Sequence, residues 1–484
     1  MTANTGSAHA LAICILVCVA CHAAAQSGPK SESRAPSHSR ADSGAYPQLT
    51  LREAIARALA VSPTVAVGVA GLRDAHSLER VARGTYLPTL AVNSTATTTD
   101  VSAGGGGGFG GEAGTTDTTR GGSSGRSSIT NFGTIGLGAT IDVFTGGRRR
   151  ALKDAAQATV RGASSTLDSA RYAARFAAES TFYQVIRARE LVQVARAGLN
   201  EAELLVRYTR DMFRAGTVTK SDLLRAELQS LTMQTQVLAA NDTLLAAAYA
   251  LGWLTGADGP VGAMSDSSSE AIRPLALDDT AIVRMAVRSS PTVTGAMEKL
   301  AAREAALRSA RALYVPTVTA SAIYTRATTP RVPAVNAGGN GITTGTGAIP
   351  ATAGRPGWIV SLGTIYPLFN GYQREDSVTR AQAAVFVARS IANDAERLVR
   401  SSAARLLTTL RTTTMTIALD TAAVRSARED LRVQVARYRA GISTMLDVLT
   451  SELALVQASY NLAQARNQYH TTRAAIEALV GRVL

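Results

Sequence analysis

Aromatic residues make up only 5% of this 484-residue chain, too thin a supply for a large conventional core. Small residues must therefore pack against one another. Cysteine occurs only at Cys14, Cys18 and Cys21, so a chain cut beyond them has no disulfide, thiolate metal site or cysteine nucleophile. Beyond the same region the histidines are His38, His76 and His470, in segments with no shared metal spacing. His76, beside Asp74 and Glu79, reads as a solvated helix face, and His470 as a packed or lumen-lining residue. Lysine occurs only at Lys30, Lys153, Lys220 and Lys299, so the net charge of +14 is almost wholly arginine, scattered along helical segments. A nucleic-acid surface would interleave a basic face with aromatics, and none is seen. Gly104 to Gly108 is low complexity and does not join a strand to a helix as a phosphate cradle would. No enzymatic constellation emerges, and no cofactor or metal is expected.

The first 25 residues read as an export signal. Leu11 to Ala20 is an apolar run too short to span a bilayer, and Ala23-Ala24-Ala25 before Gln26 offers a small-residue cleavage site. The leader departs from the usual pattern in having no Lys or Arg ahead of that run. Val19-Ala20-Cys21 is partly lipobox-like, so lipidation at Cys21 and cleavage after Ala25 both stay open. No later segment is an unbroken apolar run of the ~18 residues expected of a transmembrane helix. Entry into a membrane would have to be by strands.

The chain repeats itself. Ser62-Pro63-Thr64-Val65 recurs as Ser290-Pro291-Thr292-Val293, and Leu87-Pro88-Thr89 as Val315-Pro316-Thr317, with one constant offset (63 to 291). Farther on a second offset (216 to 441) aligns Phe144-Thr145-Gly146 with Phe369-Asn370-Gly371, Asp222 with Asp447, and Glu227 with Glu452. Repetition on this scale signals two copies of one structural plan. The expected divisions are a polar segment at 26–48, a first repeat at 49–256, a linker at 257–276 and a second repeat at 277–484.

Within each copy the period changes from two to seven. Ile135, Leu137, Ala139, Ile141 and Val143 alternate with Gly136, Gly138, Thr140 and Asp142, and Trp358, Val360, Leu362, Thr364 and Tyr366 keep the same phase. Strands are expected at about 89–101, 130–144, 317–327 and 358–369, close to the ~10 residues that cross a bilayer when tilted. Between the strands lie polar stretches, Ala103 to Ser128 and Thr328 to Gly357, of the kind outer-membrane barrels extend outward. No proline interrupts Gly146 to Arg214, where Val185, Val192, Leu199, Val206 and Phe213 recur every seven residues with Ala188, Ala195 and Ala202 between them. Leu224, Leu231, Leu238 and Leu245 continue the period on the return. Such a seam implies supercoiling helices, arranged as long hairpins at 146–255 and 371–481.

Two tip segments complete the pattern, Arg214-Ala215-Gly216-Thr217-Val218-Thr219-Lys220-Ser221-Asp222 and Arg439-Ala440-Gly441-Ile442-Ser443-Thr444-Met445-Leu446-Asp447. On their own chemistry, Gly216 and Gly441 end helices in a left-handed conformation. Thr219 or Ser221, and Ser443 or Thr444, then cap the returning helices, with Asp222 and Asp447 favourable in the first turn. With the doubled plan and the paired proline elements, the chain resembles the TolC family of outer-membrane efflux proteins. The resemblance implies an α+β membrane protein: a homotrimer whose four strands per chain close a twelve-stranded β-barrel in outer-membrane lipid, continued into the periplasm by a helical barrel.

The resemblance also implies roles. The tips, carried by Gly216, Thr217, Ser221, Gly441, Ile442 and Ser443, would receive a periplasmic adaptor protein that links the channel to an inner-membrane transporter. Asp222, Tyr438 and Asp447 would form the entrance gate, with a bond from the Tyr438 phenol to the Asp222 carboxylate tying neighbouring hairpins. Ser443 stands where some members carry a basic residue, and Thr450 where some carry a second acid. The implied function is a passive export conduit at the outer membrane. The rival reading is a trimeric surface adhesin or structural outer-membrane protein acting through its Gly-rich loops, although the identity between the copies lies at the tips and strand-to-helix junctions.

Overall fold

The computed structural model describes residues 46–101, 128–264, 272, 278–327 and 356–482. The leader with Cys21 and nearly all of the two polar stretches lie outside the described residues. In chain order the elements are β1 (Gln48–Leu49), α1 (Leu51–Val61), α2 (Pro63–Gly84), β2 (Thr89–Val101), β3 (Ser128–Phe144), α3 (Arg148–Arg214) and α4 (Lys220–Thr255). They are followed by β4 (Gly262–Ala263), α5 (Asp279–Ser289), α6 (Pro291–Arg311), β5 (Thr317–Ala327), β6 (Gly357–Ile365), α7 (Gln373–Arg439) and α8 (Met445–Val480). The repeat is written in their lengths: α3 and α7 each have 67 residues, and α4 and α8 each have 36. At ~1.5 Å per residue the two long helices reach about 100 Å.

Local chemistry sets the breaks. Ser62 and Ser290 leave the helical region at ψ 120 and ψ 126, because each precedes a proline that starts the next helix. Strand β6 ends at Ile365, short of the expected 369, because Pro367 has no N–H to continue a ladder. The linker contributes β4, which pairs in parallel with β1 (Gln48 with Gly262, Leu49 with Ala263). Leu49, Val261 and Ala263 thereby join Phe182, Val185, Ile186 and Leu251 in one buried cluster.

Strands β2, β3, β5 and β6 form one antiparallel sheet in that order. Its register sorts the side chains by face, because directly paired residues point the same way. One face carries Leu90 and Val92, then Leu137, Ala139 and Ile141, then Ala320, Ala322 and Tyr324, then Trp358, Val360 and Leu362. The other carries Thr89, Asn93, Gly136, Thr140, Asp142, Thr319, Ser321, Ser361 and Gly363, with Ile323 and Ile359 as an apolar pair among them. On the polar face Thr319 donates to Asp142 at 3.2 Å, and the Ser321 and Ser361 hydroxyls meet at 2.6 Å. Tyr324 and Trp358 pack at 4.9 Å near one end of the apolar face, and Tyr366 lies at the other. Eight residues at ~3.4 Å put these ends about 27 Å apart along the strand, or about 20 Å in height at a barrel tilt of ~40°. The outer edges of β2 and β6 have no partner strand among the described residues.

Below the sheet, α3 packs on α4 and α8, and α8 packs on α7, so α4 and α7 form the flanks. Both flanks present uncovered apolar side chains: Leu224, Leu228, Leu231 and Leu238 on α4, and Val387, Ile391, Leu398 and Leu419 on α7. Helix α4 also departs from the expectation that nothing beyond the leader is apolar enough to cross a membrane. Its mean hydropathy reaches 1.3 over a window that is 17% buried. An unbroken apolar run is absent because Gln, Thr and Ser punctuate the leucines, yet the average is high.

Each strand-to-helix junction is tied by an arginine. Arg149 donates to the Val143 carbonyl at 2.9 Å and to that of Thr85 at 3.4 Å, with its guanidinium 4.8 Å from the Tyr86 ring. Arg374 donates to the Pro367 and Leu368 carbonyls at 2.9 and 3.0 Å and lies 4.9 Å from the Tyr314 ring. The junction glycine Gly146 has φ +59, and a Cβ there would stand 2.5 Å from Val315 Cβ. At neighbouring Gly147 (φ +85) a Cβ would meet nothing within 4 Å. Gly146→Ala should therefore cost on the order of 2–4 kcal/mol, backbone strain plus overpacking. Gly147→Ala should cost only the ~1–2 kcal/mol of strain. Thermal unfolding of the two variants side by side checks this, and equal losses would refute the packing contact.

Candidate functional site at the hairpin tips

Both tips are built by the same turn. Gly216 and Gly441 have φ +75 and +73, and neither would meet anything within 4 Å if it carried a Cβ. The Gly216 N–H bonds to the Phe213 carbonyl at 3.0 Å and the Thr217 N–H to that of Met212 at 3.0 Å. Gly441 and Ile442 repeat the pair on Tyr438 and Arg437 at 3.0 and 2.9 Å. These nested bonds close a helix C-terminus when one residue takes the left-handed conformation. Gly216, Thr217, Gly441 and Ile442 are left exposed at the end of the molecule.

The returning helices are capped by Thr219 and Thr444 rather than by Ser221 or Ser443. Each threonine side chain accepts the N–H of the aspartate three residues on, and that aspartate accepts the threonine's own N–H. The Thr219 N–H and hydroxyl reach Asp222 Oδ2 at 3.2 and 2.7 Å, and those of Thr444 reach Asp447 Oδ2 at 2.9 and 2.8 Å. Ser443 adds a bond to Asp447 at 3.0 Å and another to Gln434 at 3.1 Å, whereas Ser221 is exposed. These hydrogen bonds, from the Thr444 backbone foremost, hold the Asp447 carboxyl below the usual carboxylate range. Asp447 is thus a fixed negative charge.

The expected Asp222–Tyr438 bond is not formed within the chain. Thr219 takes the carboxylate in its capping box, and Tyr438 is buried at 4% exposure with its ring 6.3 Å from that of Tyr208. Its hydroxyl and that of Thr209 are buried without a hydrogen-bond partner among the described residues. Burial raises the phenol above the ordinary tyrosine range, and the Asp222 charge adds to the rise. Tyr438 instead joins Leu205, Val206, Ala226, Leu431, Met445 and Val448 in a cluster that locks the two tips of one chain together. Tyr208 reinforces this by donating to the Arg439 carbonyl at 3.1 Å.

Sequence reasoning missed Glu452. It is 3% exposed, and Oε1 has no hydrogen-bond partner among the described residues. Burial raises its carboxyl to about 7, the Glu201 charge adds to the rise, and a bond from Gln229 opposes it. It lines a cleft of about 910 Å³ between α3 and α7, with Leu431, Val435, Leu455 and Val456. The repeat offset carried the signal: Glu227 pairs with Arg210 at 3.0 Å, but the position corresponding to Arg210 in the second copy is Val435. His470 is buried and stacks on Tyr183 at 4.2 Å, whereas His76 is exposed, 3.7 Å from Glu79. Among the described residues no group of three or more His, Cys, Asp or Glu could hold a metal ion.

The chain matches the family described as "Outer membrane efflux protein" over residues 54–257 and 282–482. The outer membrane efflux protein BepC of Brucella suis is 26% identical over 204 residues, 42% of this chain and 40% of BepC. That match spans well under two thirds of the relative's length. Among solved structures, the outer membrane protein VceC of Vibrio cholerae has a TM-score of 0.71 at 19% identity, covering 89% of this chain and 96% of VceC. The CmeC outer membrane channel of Campylobacter jejuni has a TM-score of 0.71 at 14% identity, covering 89% and 85% of the two chains. These likenesses establish the fold.

A buried carboxyl with its pKa raised to about 7 weakens the folded state as pH rises. The folded chain keeps a proton that the unfolded chain releases near the ordinary value, so stability falls between about pH 4.5 and 7. Glu452→Gln removes this loss. It should raise stability at pH 8 by on the order of 2–3 kcal/mol and leave it little changed at pH 4. Thermal unfolding across that range checks the sign, and equal gains at both ends would refute a charge effect.

Proposed function

The chain belongs to the outer membrane efflux protein family, and we propose that it is a passive export channel, a homotrimer whose sheets close one barrel across the outer membrane. The carrying observation is the four-stranded sheet with one apolar face, one polar face and two unpaired edges. In lipid, exposed backbone groups cost several kcal/mol each, so such a sheet is viable only when closed. Copies supply the closure, the apolar face turned to lipid and the polar face to an aqueous lumen. The helical flanks make the same demand: the leucines of α4, near the tip, would be covered by the tip half of α7 of the next copy, where Met415, Leu419 and Val433 are exposed.

In this reading the tips are the periplasmic entrance. The exposed turns around Gly216 and Gly441 receive an adaptor protein, which connects the channel to an inner-membrane transporter that supplies the energy. Asp447, fixed by its cap and ionised, contributes one carboxylate per chain to a ring at the entrance. Asp222 acts as the matching cap in the first copy. The chain itself catalyses no reaction. Support for the conduit over an adhesin comes from where the two copies agree, at the tips and the strand-to-helix junctions.

Detergent-extracted protein should be a trimer that conducts ions in planar bilayers, and Leu231→Glu with Leu238→Glu should reduce it to monomers. A monodisperse, non-conducting wild-type monomer with intact helicity would overturn the channel reading. At the tips, Gly441→Val adds ~1–2 kcal/mol of backbone strain without a steric clash. That variant should reach the membrane as a conducting trimer yet fail to support export; unchanged export would remove the turn from the docking site. Asp447→Asn should lower cation selectivity in single-channel recordings, and unaltered selectivity would return Asp447 to a purely capping role.

A further inference from the structure

Both hairpins follow one plan near their tips, but a charge pair made in the first has lost its cation in the second. In the first copy Arg210 on α3 donates to Glu227 Oε1 on α4 at 3.0 Å. The repeat offset (216 to 441) carries that pair to Val435 on α7 and Glu452 on α8. The acid is kept and the arginine gives way to an apolar side chain. The surroundings change with it: the Glu227 side chain is 39% exposed, whereas Glu452 is 3% exposed and its Oε1 has no hydrogen-bond partner among the described residues.

Glu452 and Val435 line the same cleft of about 910 Å³, a volume within the range of small-molecule sites. Its walls are apolar, with Val424, Leu431 and Val435 from α7 and Leu455, Val456 and Leu462 from α8. The charged groups that face it are Glu190 and Glu201 from α3, Arg428, Glu429, Arg432 and Arg439 from α7, and Arg466 from α8. Arg432 pairs with Glu429 at 2.6 Å, Arg466 with Glu190 at 3.5 Å, and Arg439 lies 5.3 Å from the Tyr208 ring. Asp430 is taken by the Ser451 hydroxyl at 2.5 Å, and Gln229 on α4 bonds the Glu452 carboxyl. All of the lining charges except Glu190 and Glu452 are exposed, where salt and water screen them. Glu452, out of water, sets the sign of what the floor can hold. The α7 side chains assigned above to the contact between copies, Met415, Leu419 and Val433, lie roughly 120° to 180° around that helix from Val424 and Leu431, at ~100° per residue. That contact therefore does not cover the cleft.

We propose that this cleft is a binding site for a small amphipathic amine, whose protonated nitrogen donates to Glu452 Oε1 while its apolar body lies along Leu431, Val435, Leu455 and Val456. The first copy supplies the pattern for the contact: Arg210 is a cation on an aliphatic stem, held by the equivalent glutamate. A ligand would do from outside what that arginine does from within the chain. A buried carboxylate with one oxygen unmatched gains most from a donor that carries charge. Burial raises the Glu452 carboxyl to about 7, so the amine takes the ionised form and its binding below that pH displaces a proton. The bound cation also offsets the charge that weakens the fold as pH rises. The site occurs once per chain, because the first copy carries its own cation. It is built within one chain and does not rest on the channel reading.

The test sets naphthylmethylamine, a cation at neutral pH, against its neutral and anionic counterparts naphthylmethanol and naphthoate. Full-length protein in phosphatidylcholine nanodiscs is titrated by calorimetry at pH 6 and pH 8, with empty nanodiscs as the blank. The amine should saturate one site per chain at pH 8 and bind roughly tenfold or more tightly than either counterpart. Its affinity should fall about tenfold at pH 6, where Glu452 is mostly protonated. Glu452→Gln should remove that pH dependence and weaken the amine about tenfold at pH 8. Val435→Arg, which restores the pair of the first copy, should weaken it as far. Equal binding of the three probes, an affinity indifferent to pH, or no saturable binding by wild type would overturn the site, as would full affinity in Glu452→Gln. Should Val435→Arg fail to fold, the Glu452→Gln comparison and the wild-type pH dependence still decide.

Discussion

A strand edge in hydrocarbon has no water to satisfy its N–H and carbonyl groups, and that one constraint organises the rest of this molecule. The sheet ends at β2 on one side and β6 on the other, with its apolar and polar faces already sorted by register. Nothing in the described part of one chain can pair those edges. The helices inherit the problem in another form, because a flank lined with leucine on α4 and another lined with valine, isoleucine and leucine on α7 are left open. In the proposed trimer, edge and flank would be satisfied by the same rotation of copies, which would couple barrel closure to assembly of the helical wall.

How force and position pass from the sheet to the helices depends on the junctions. Arg149 and Arg374 hold the last carbonyls of the strand region while their guanidinium groups lie over Tyr86 and Tyr314. A guanidinium that bonds carbonyls with its edge and an aromatic ring with its face fixes direction as well as distance. Each long helix therefore starts at a defined angle to its strand, and a 67-residue helix amplifies any error at its start over about 100 Å. The tip cluster around Tyr438 performs the corresponding task at the far end, joining both hairpins of a chain into one unit.

Much of this was legible in the sequence, for physical reasons that can be named. Long helices show because Gly146 to Arg214 lacks proline and repeats every seven residues, and strands show because their period is two. The tip turns show because only a glycine at positions such as 216 and 441 takes positive φ without strain. What stayed hidden depends on tertiary neighbours. The junction arginines look like any other of the scattered arginines until Tyr86 and Tyr314 come alongside, and the pairing of β1 with β4 joins segments too short to carry a pattern. The gate bond from Asp222 to Tyr438 was inferred from resemblance. The local capping box won instead, because a threonine three residues away is always within reach while a partner on another hairpin must first be positioned.

The two copies agree in length yet differ in what their equivalent residues touch, and this difference makes the two hairpins of one chain inequivalent. Glu227 lies on α4 and is neutralised by Arg210 at the surface. Its counterpart Glu452 lies on α8, in the seam with α3 inside the chain, where Val435 replaces the arginine and Glu201 comes near. An arginine buried in that seam would need full pairing to offset its desolvation, so an apolar residue is the cheaper neighbour. The glutamate that remains holds its proton well above the ordinary carboxylate range and ionises as pH passes about 7. The seam within a chain therefore carries a titratable weakness, while the flanks between copies are apolar. In the proposed trimer, a widening of the entrance that began along the α3–α8 seams would occur once per chain and leave the contacts between copies unbroken.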